Sequence, residues 1–153
     1  MTNSLPISFD FDTWSVYNEI FDTELDFRKR LVSDLIEMSS ESEEPRAAVD
    51  IEDDQDDVIF ETDKIFIEII SEDIYAMVPI WASHPNDGDY DKKGDKWVLN
   101  RKPNQGITRG YLQWQISNVL AGLPLLDHRF PENLTLDKQV IKGKPVYKLF
   151  LGS

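Results

Sequence analysis

Val78 to Leu123 read VPIWASHPNDGDYDKKGDKWVLNRKPNQGITRGYLQWQISNVLAGL. This stretch decides the fold, because it contains two turn signals of the form P-N-x-G, at Pro85–Gly88 and Pro103–Gly106. Proline presets φ near the turn value, asparagine tolerates the left-handed region, and glycine accepts positive φ, so each motif predicts a chain reversal. The apolar run Lys96–Leu99 between the two turns predicts a short strand.

A helix is predicted directly after the second turn. Apolar residues recur there at the spacing of one continuous helical face. They are Leu112, Ile116, Val119, Leu120 and Leu123. Thr108 is the predicted N-cap. Gly122 followed by Pro124 predicts the end, with the glycine in the left-handed position after the last turn. The helix is therefore expected near residues 108–121.

The same region carries Trp81, Trp97 and Trp114. Large aromatic side chains dominate burial in small domains, so core positions are favoured for all three. The alternative is an aromatic platform at a binding surface, which requires at least one exposed indole.

Three apolar runs upstream predict a β-meander. They are Val58–Phe60, Ile65–Ile70 and Ile74–Trp81. The breaks between them are short and polar, as in tight hairpins. Pro79 lacks an amide hydrogen, which predicts an edge strand or a bulge. The middle run is apolar on both faces, with Ile65, Ile67 and Ile69 on one of them, which predicts a covered central strand.

Helical spacing also runs through the N-terminal part of the chain, from Asp12 or Thr13 to Met38. The capping-box pattern at Thr23–Asp26 leaves open a break near Asp22 into two helices. In either case an amphipathic helical element with a charged outer face is expected before the acidic stretch that follows.

The C-terminal part predicts a hairpin, with Val140–Ile141 and Val146–Leu151 as its strands. Residues 125–137 are predicted to be a loop with a turn signal at Pro131. The fold class that follows is α+β in a single domain over residues 1–153. We expect an antiparallel sheet of about five to six strands, covered by a long N-terminal helix and a second helix near residues 108–121.

Charge is the most informative feature of the composition. The net charge is −13, with −20 on residues 1–91 and +7 on residues 92–153. Residues 39–57 read SSESEEPRAAVDIEDDQDD, and nine of these nineteen residues are acidic. Such a stretch predicts a mobile loop, with a short strand or a turn of helix at Ala47–Ile51 as the alternative. Repulsion by phosphates argues against direct binding to nucleic acid or to anionic membranes.

The chain contains no cysteine, which excludes disulfides and thiolate chemistry. Its first residues lack the basic and apolar segments of a signal peptide, and no apolar run reaches the length of a membrane helix. A cytoplasmic protein is therefore expected.

No catalytic residue, metal site or cofactor is predicted. His84 and His128 would form a metal site or a triad with Asp87 or Asp127 only if the fold brought them together, and no nucleophile motif supports this. The run Asp89–Gly94 begins like a calcium loop but then places lysine at a ligand position. The seven glycines fall singly, so no phosphate-binding loop is present.

A basic cluster follows the point where the charge changes sign. Its members are Lys92, Lys93, Lys96, Arg101, Lys102 and Arg109. With Trp97 and Tyr111 between them, this composition is typical of nucleic-acid binding. The favoured interpretation is counter-charge to the acidic half, because the remaining net negative charge repels phosphate.

In composition the chain is similar to bacterial immunity proteins and to phage-encoded inhibitors of nucleases or defence enzymes. Those proteins are often small, acidic and α+β, without a catalytic constellation. The resemblance rests on composition and on no motif.

The predicted function is that of a non-enzymatic acidic binding or inhibitor protein, which imitates nucleic acid and neutralises a basic protein partner such as a nuclease. The predicted partner-binding residues are Glu43, Glu44, Glu52, Asp53, Asp54, Asp56, Asp57, Asp87, Asp89 and Asp91. Two alternatives stay open. One is a small hydrolase using His84, Asp87 and His128, and the other is an assembly protein that pairs through its C-terminal hairpin.

Overall fold

The computed structural model describes residues 5–13, 17–40, 47–62, 64–71, 74–81, 89–93, 96–100, 106–125 and 129–152. These residues form strands β1 (Ser8–Asp10), β2 (Val58–Phe60), β3 (Lys64–Ile70), β4 (Tyr75–Trp81), β5 (Asp89–Lys93), β6 (Lys96–Asn100), β7 (Ile107–Thr108), β8 (Phe130–Ile141) and β9 (Lys144–Gly152), and helices α1 (Glu24–Ser39), α2 (Ala48–Asp54) and α3 (Arg109–Ala121). The predicted α+β class is confirmed. Among the helices described, none combines the length and apolar character needed to cross a membrane.

The main sheet has five strands in the order β1-β8-β9-β3-β4. The pairing of β3 with β9 is parallel, while its other pairings are antiparallel. The sheet is therefore mixed, whereas the sequence predicted an antiparallel sheet. A parallel neighbour needs a crossover connection, and the long chain segment between β3 and β9, which includes α3, provides it. β4 lies at the edge, as Pro79 within it predicts.

The predicted central strand is β3, which lies between β9 and β4. Ile65, Ile67 and Ile69 are fully buried. They belong to one apolar cluster with Phe27 of α1 and Leu112 of α3. The two predicted helices therefore cover this face of the sheet.

The predicted β-meander is wrong for its first strand. β2 pairs with β7, with Val58 opposite Thr108 and Phe60 opposite Ile107. Gly106 precedes β7 with φ of +80°, and a Cβ there would lie 2.5 Å from the carbonyl oxygen of Phe60. Glycine is thus needed both for the backbone conformation and for the close approach of β2. The other residues of this P-N-x-G motif, and the whole of the first motif, lie outside the described residues.

The predicted strand at Lys96–Leu99 is β6, which forms an antiparallel hairpin with β5. Trp114 is 5% exposed, and its indole nitrogen donates to the carbonyl oxygen of Phe21 at 2.8 Å. Its predicted core position is confirmed. The side chains of Trp81 and Trp97 lie outside the described part of the structure.

The N-terminal helix begins later than predicted. α1 follows Thr23, whose hydroxyl oxygen accepts a hydrogen bond from the backbone N–H of Asp26 at 3.1 Å. A continuous helix is therefore wrong, and α1 starts after the predicted break near Asp22. The described residues before the break, 11–13 and 17–22, do not form the first of the two helices that this alternative included. The segment before α1 makes other bonds, because the backbone N–H of Phe21 donates to the side-chain oxygen of Asn118 on α3 at 3.0 Å.

The start of α3 is as predicted, and its end is not. The Thr108 hydroxyl oxygen accepts from the backbone N–H of Tyr111 at 3.2 Å, which confirms the N-cap. Gly122 has φ of −89°, so its predicted left-handed conformation is wrong. The last turn tightens instead, with the Gly122 N–H donating to the Val119 carbonyl at 3.1 Å. This bond satisfies a terminal carbonyl without a left-handed residue.

The predicted C-terminal hairpin is confirmed as β8 and β9. Lys142 and Gly143 form its two-residue turn with φ of 50° and 78°, the positive values that a type I′ turn requires. The loop predicted over residues 125–137 is wrong from Phe130 onward, where β8 begins. Pro131 was interpreted as a turn signal, but it lies within β8 beside a register shift, where a strand tolerates proline.

Candidate interaction surface

α2 lies inside the acidic stretch that is predicted to be a loop, and it includes most of Ala47–Ile51, where a turn of helix was one of the alternatives. Its sequence favours a helix only weakly, since a helix of seven residues is marginal in water. Its N-cap, Ala47, makes no side-chain cap bond, and its last turn contains no basic residue to oppose the helix dipole. α2 therefore depends on contacts with the rest of the protein.

The contacts that hold α2 come from its inner face and its C-terminal end. Ile51 and Gln55 are fully buried, and their spacing of four residues places them on one side of the helix. The Gln55 carbonyl accepts from the backbone N–H of Gly110 at 3.0 Å, and the Asp57 carbonyl accepts from that of Arg109 at 2.9 Å. These bonds fasten the end of α2 to the first turn of α3.

Arg28 of α1 supplies the cation that the C-terminus of α2 lacks. It donates to the Gln55 carbonyl at 3.1 Å, and it forms ion pairs with Glu24 at 2.9 Å and Asp56 at 2.6 Å. Burial lowers the pKa of Arg28, but the carboxylates of Glu24 and Asp56 more than offset this and raise it above the usual value. A Cβ at Gly110 would lie 2.8 Å from the Arg28 side chain, so the absence of a side chain there makes room for it.

A buried polar network extends from this anchor into the core. The Gln113 amide donates to Gln55 Oε1 at 2.8 Å and to the Asp12 carboxylate at 3.2 Å. Arg109 donates to the same carboxylate at 3.1 Å. The Tyr17 hydroxyl donates to Gln113 Oε1, and burial, followed by the charge of Asp12, raises the pKa of Tyr17 well above its ordinary value. Among the described side chains, no buried polar atom lacks a hydrogen-bond partner.

The side of α2 that faces solvent is acidic. Its exposed residues and those of the turn that follows include Asp50, Glu52, Asp53, Asp56 and Asp57, while Asp54 is half-buried. We call these six acidic residues, all between Asp50 and Asp57, the α2 acidic surface. Val49 and Val58, which are 59% and 42% exposed, flank it. Carboxylates in this arrangement can accept hydrogen bonds from lysine and arginine side chains and form ion pairs with them.

Neither the family models, nor the curated proteins, nor the solved structures compared with this chain include a match. The α2 acidic surface is therefore interpreted from its own chemistry. A surface rich in carboxylate acceptors is suited to recognition of a cationic partner.

The structure brings together half of the predicted partner-binding residues. Glu52, Asp53, Asp54, Asp56 and Asp57 share the α2 acidic surface. Glu43, Glu44 and Asp87 lie outside the described residues, and Asp89 and Asp91 lie on β5 with side chains that are not described. Asp50 is not among the partner-binding residues predicted from the sequence. The spacing of Ile51 and Gln55 was the available signal, because it defines a buried helix face and leaves Asp50 exposed.

The structure describes different amounts of the residues on which the two alternative functions depend. His84, Asp87 and His128 all lie outside the described residues, so the hydrolase hypothesis stays a prediction. The residues that are described contain no group of three His, Cys, Asp or Glu side chains able to hold a metal ion. In the C-terminal hairpin, β8 is paired with β1 and β9 with β3. Both strands of the hairpin thus have a neighbour within the sheet, and the assembly hypothesis stays a prediction.

Proposed function

We propose that this protein is a non-enzymatic acidic binding protein, whose α2 acidic surface docks on a basic protein partner that itself binds or processes nucleic acid. The observation that supports this most directly is the construction of α2. One face is fixed by Ile51, Gln55 and Arg28, and the other presents carboxylates to solvent. A surface that is already ordered loses less conformational entropy on binding than a mobile loop would.

The density of charge supports imitation of nucleic acid. Six carboxylates lie within residues 50–57. Four of them lie on α2 between residues 50 and 54, where a helical rise of roughly 1.5 Å per residue gives a span of about 6 Å, or about 2 Å from one charge to the next. Duplex DNA carries one charge per about 1.7 Å of its axis. A groove that binds a phosphate backbone would therefore meet a similar field on the α2 acidic surface.

The distribution of charge supports a role in fast association. Residues 1–91 carry a net charge of −20, and a field of this size accelerates encounter with a basic protein at low salt. An inhibitor of a cytoplasmic enzyme would benefit from such steering. The exposed Val49 and Val58 at the border of the surface would contribute to the lifetime of the complex.

Capture of partners tests the proposal with a matched pair of variants. The α2 variant carries Asp50→Asn, Glu52→Gln and Asp53→Asn. The control variant carries Asp10→Asn, Asp22→Asn and Glu61→Gln, which neutralise the same number of exposed carboxylates elsewhere. Wild-type and control proteins, immobilised at low salt, should retain basic nucleic-acid-processing proteins from the native host, and the α2 variant should lose them. Equal retention by all three proteins contradicts a role for α2.

Association kinetics with a captured partner then test steering. The association rate of the wild type should fall steeply as salt is added, since exposed charges are screened. The α2 variant should associate more slowly and with a weaker salt dependence, while the control variant should resemble the wild type. Equal slowing of both variants would mean that net charge, and not the α2 acidic surface, governs the encounter.

A further inference from the structure

The two faces of the main sheet differ in character. The face that carries Ile65, Ile67 and Ile69 is buried under the helices. Because side chains alternate along a strand, Phe66, Glu68 and Ile70 belong to the opposite face. Ile51 of α2 belongs to the buried cluster, which places the α2 acidic surface on the helical side of the sheet.

The outer face of the sheet is apolar and partly exposed. Ile70, Tyr75 and Phe150 are 55%, 63% and 48% exposed. Ile70 is paired with Tyr75 across β3 and β4, and Phe150 continues the same face along β9. A groove of about 540 Å³ opens here, and it is lined by Glu68, Ile70, Ser71, Lys148, Leu149, Phe150 and Leu151. These side chains make this end of the sheet face a candidate interaction site.

One acid and one base lie side by side in this groove. Glu68 on β3 is in register with Lys148 on β9, and the two strands are direct neighbours in the sheet. Glu68 is only 6% exposed, and it accepts a hydrogen bond from the Tyr75 hydroxyl at 3.0 Å. The groove is thus lined by one acid, largely buried, and one base, one on each strand, with apolar side chains around them.

We propose that this face pairs with the same face of a second copy of the chain about a two-fold axis. A two-fold axis that passes between β3 and β9 places Glu68 of each copy opposite Lys148 of the other, so both charges are matched. A uniformly basic or acidic partner would match one of them and oppose the other. The apolar side chains of Ile70, Tyr75 and Phe150 would be removed from water in the same contact.

The charge distribution of the chain allows this contact. The groove is lined by residues of both parts of the chain, and its charged residues are one acid, Glu68, and one base, Lys148, so the charges at the contact itself balance. The α2 acidic surfaces stay on the helical sides of the two copies. The pair would therefore present two acidic surfaces facing away from each other.

Sedimentation and light scattering across the micromolar range test the pairing. The monomer mass is 17.7 kDa, and the wild type should shift to twice this mass as concentration rises. Phe150→Lys should hold the protein in the monomeric form, since a lysine at this exposed position is tolerated by the monomer but opposed by the contact. Val140→Lys, at a position 64% exposed and outside the groove, should still dimerise. A wild type that stays monomeric throughout, or a Phe150→Lys protein that dimerises, overturns the proposal.

Exchange of the charges tests the two-fold geometry itself. Glu68→Lys and Lys148→Glu should each weaken self-association, because each places like charges opposite one another. An equal mixture of the two variants should recover dimers, since every Lys then faces a Glu across the contact. Failure of the mixture to associate, when both variants are folded, excludes this arrangement. Phe150→Lys decides the existence of the dimer even if Glu68→Lys does not fold.

Discussion

The Tyr17 hydroxyl donates a hydrogen bond to Gln113 Oε1 at 2.5 Å, and both side chains are fully buried. This bond joins the segment before α1 to the middle of α3. The same Gln113 oxygen accepts from the backbone N–H of Asp12 at 3.0 Å, and its amide group donates to Gln55 at the end of α2. One side chain therefore connects three parts of the chain around the base of the α2 acidic surface.

We expect Gln113→Leu to destabilise the protein by about 3 kcal/mol, because it preserves volume but leaves several buried polar groups without a partner. Gln139→Leu is the matched control. Gln139 is exposed, and its amide donates to the nearby Asp137 carboxylate at 2.9 Å, so its replacement should change stability by less than about 0.5 kcal/mol. Urea unfolding measures both, and equal midpoints would show that the buried network contributes little.

Removal of Arg28 should destabilise the protein about as much as Gln113→Leu does, but for an electrostatic reason. Arg28→Met takes the cation from Glu24, which is 3% exposed, and loss of one partner of a buried pair costs about 3 kcal/mol. Arg30→Met is the control, since Arg30 and its partners Glu19 and Asp34 are partly exposed and such pairs contribute at most about 1 kcal/mol. If the two variants unfold at the same urea concentration, the Arg28 cluster does not hold α2 as described.

The sequence alone predicted those features of the fold that depend on neighbouring residues. Thr23 and Thr108 cap helices because the hydroxyl of each accepts a hydrogen bond from the backbone N–H three residues later. This spacing is visible in the sequence. Pro79 indicated an edge strand for the same reason, since its missing amide hydrogen acts at its own position.

Features set by distant residues could not be predicted in this way. β2 pairs with β7, which lies far along the chain, and nothing in the apolar run Val58–Phe60 specifies that partner. α2 exists because Arg28 and Gly110 satisfy its C-terminal carbonyl, whereas its acidic composition alone favours a loop. For the candidate site, composition therefore indicated which residues are acidic, and only the fold shows that they share one face.

Two glycines with positive φ should respond differently to alanine. Gly106 and Gly143 have φ of +80° and +78°, but a Cβ at Gly106 would lie 2.5 Å from the Phe60 carbonyl oxygen, and one at Gly143 would meet no atom within 4 Å. Gly143→Ala should therefore cost only backbone strain, about 1 kcal/mol. Gly106→Ala adds a clash and should cost about 3 kcal/mol. Thermal or urea unfolding of the two variants distinguishes the two contributions, and equal losses would contradict the close approach of β2.

Stability should fall at alkaline pH because of buried tyrosines. The Tyr147 hydroxyl donates to the Pro6 carbonyl at 2.6 Å, and burial raises the pKa of Tyr147 to about 12. An unfolded tyrosine ionises near pH 10, so between about pH 10 and about pH 12 the unfolded state releases a proton that the folded state retains. The stabilisation is complete below this window and is lost as pH rises through it.

Tyr147→Phe removes this contribution. Below about pH 10 the variant should be less stable than the wild type by a constant amount, about 1 kcal/mol for the lost hydrogen bond. Above it the two urea midpoints should converge, because the variant has one fewer proton to lose. Tyr17→Phe should behave in the same way, since burial and the charge of Asp12 raise the pKa of Tyr17 as well. Midpoints that fall in parallel for the wild type and both variants would assign the alkaline loss to other groups.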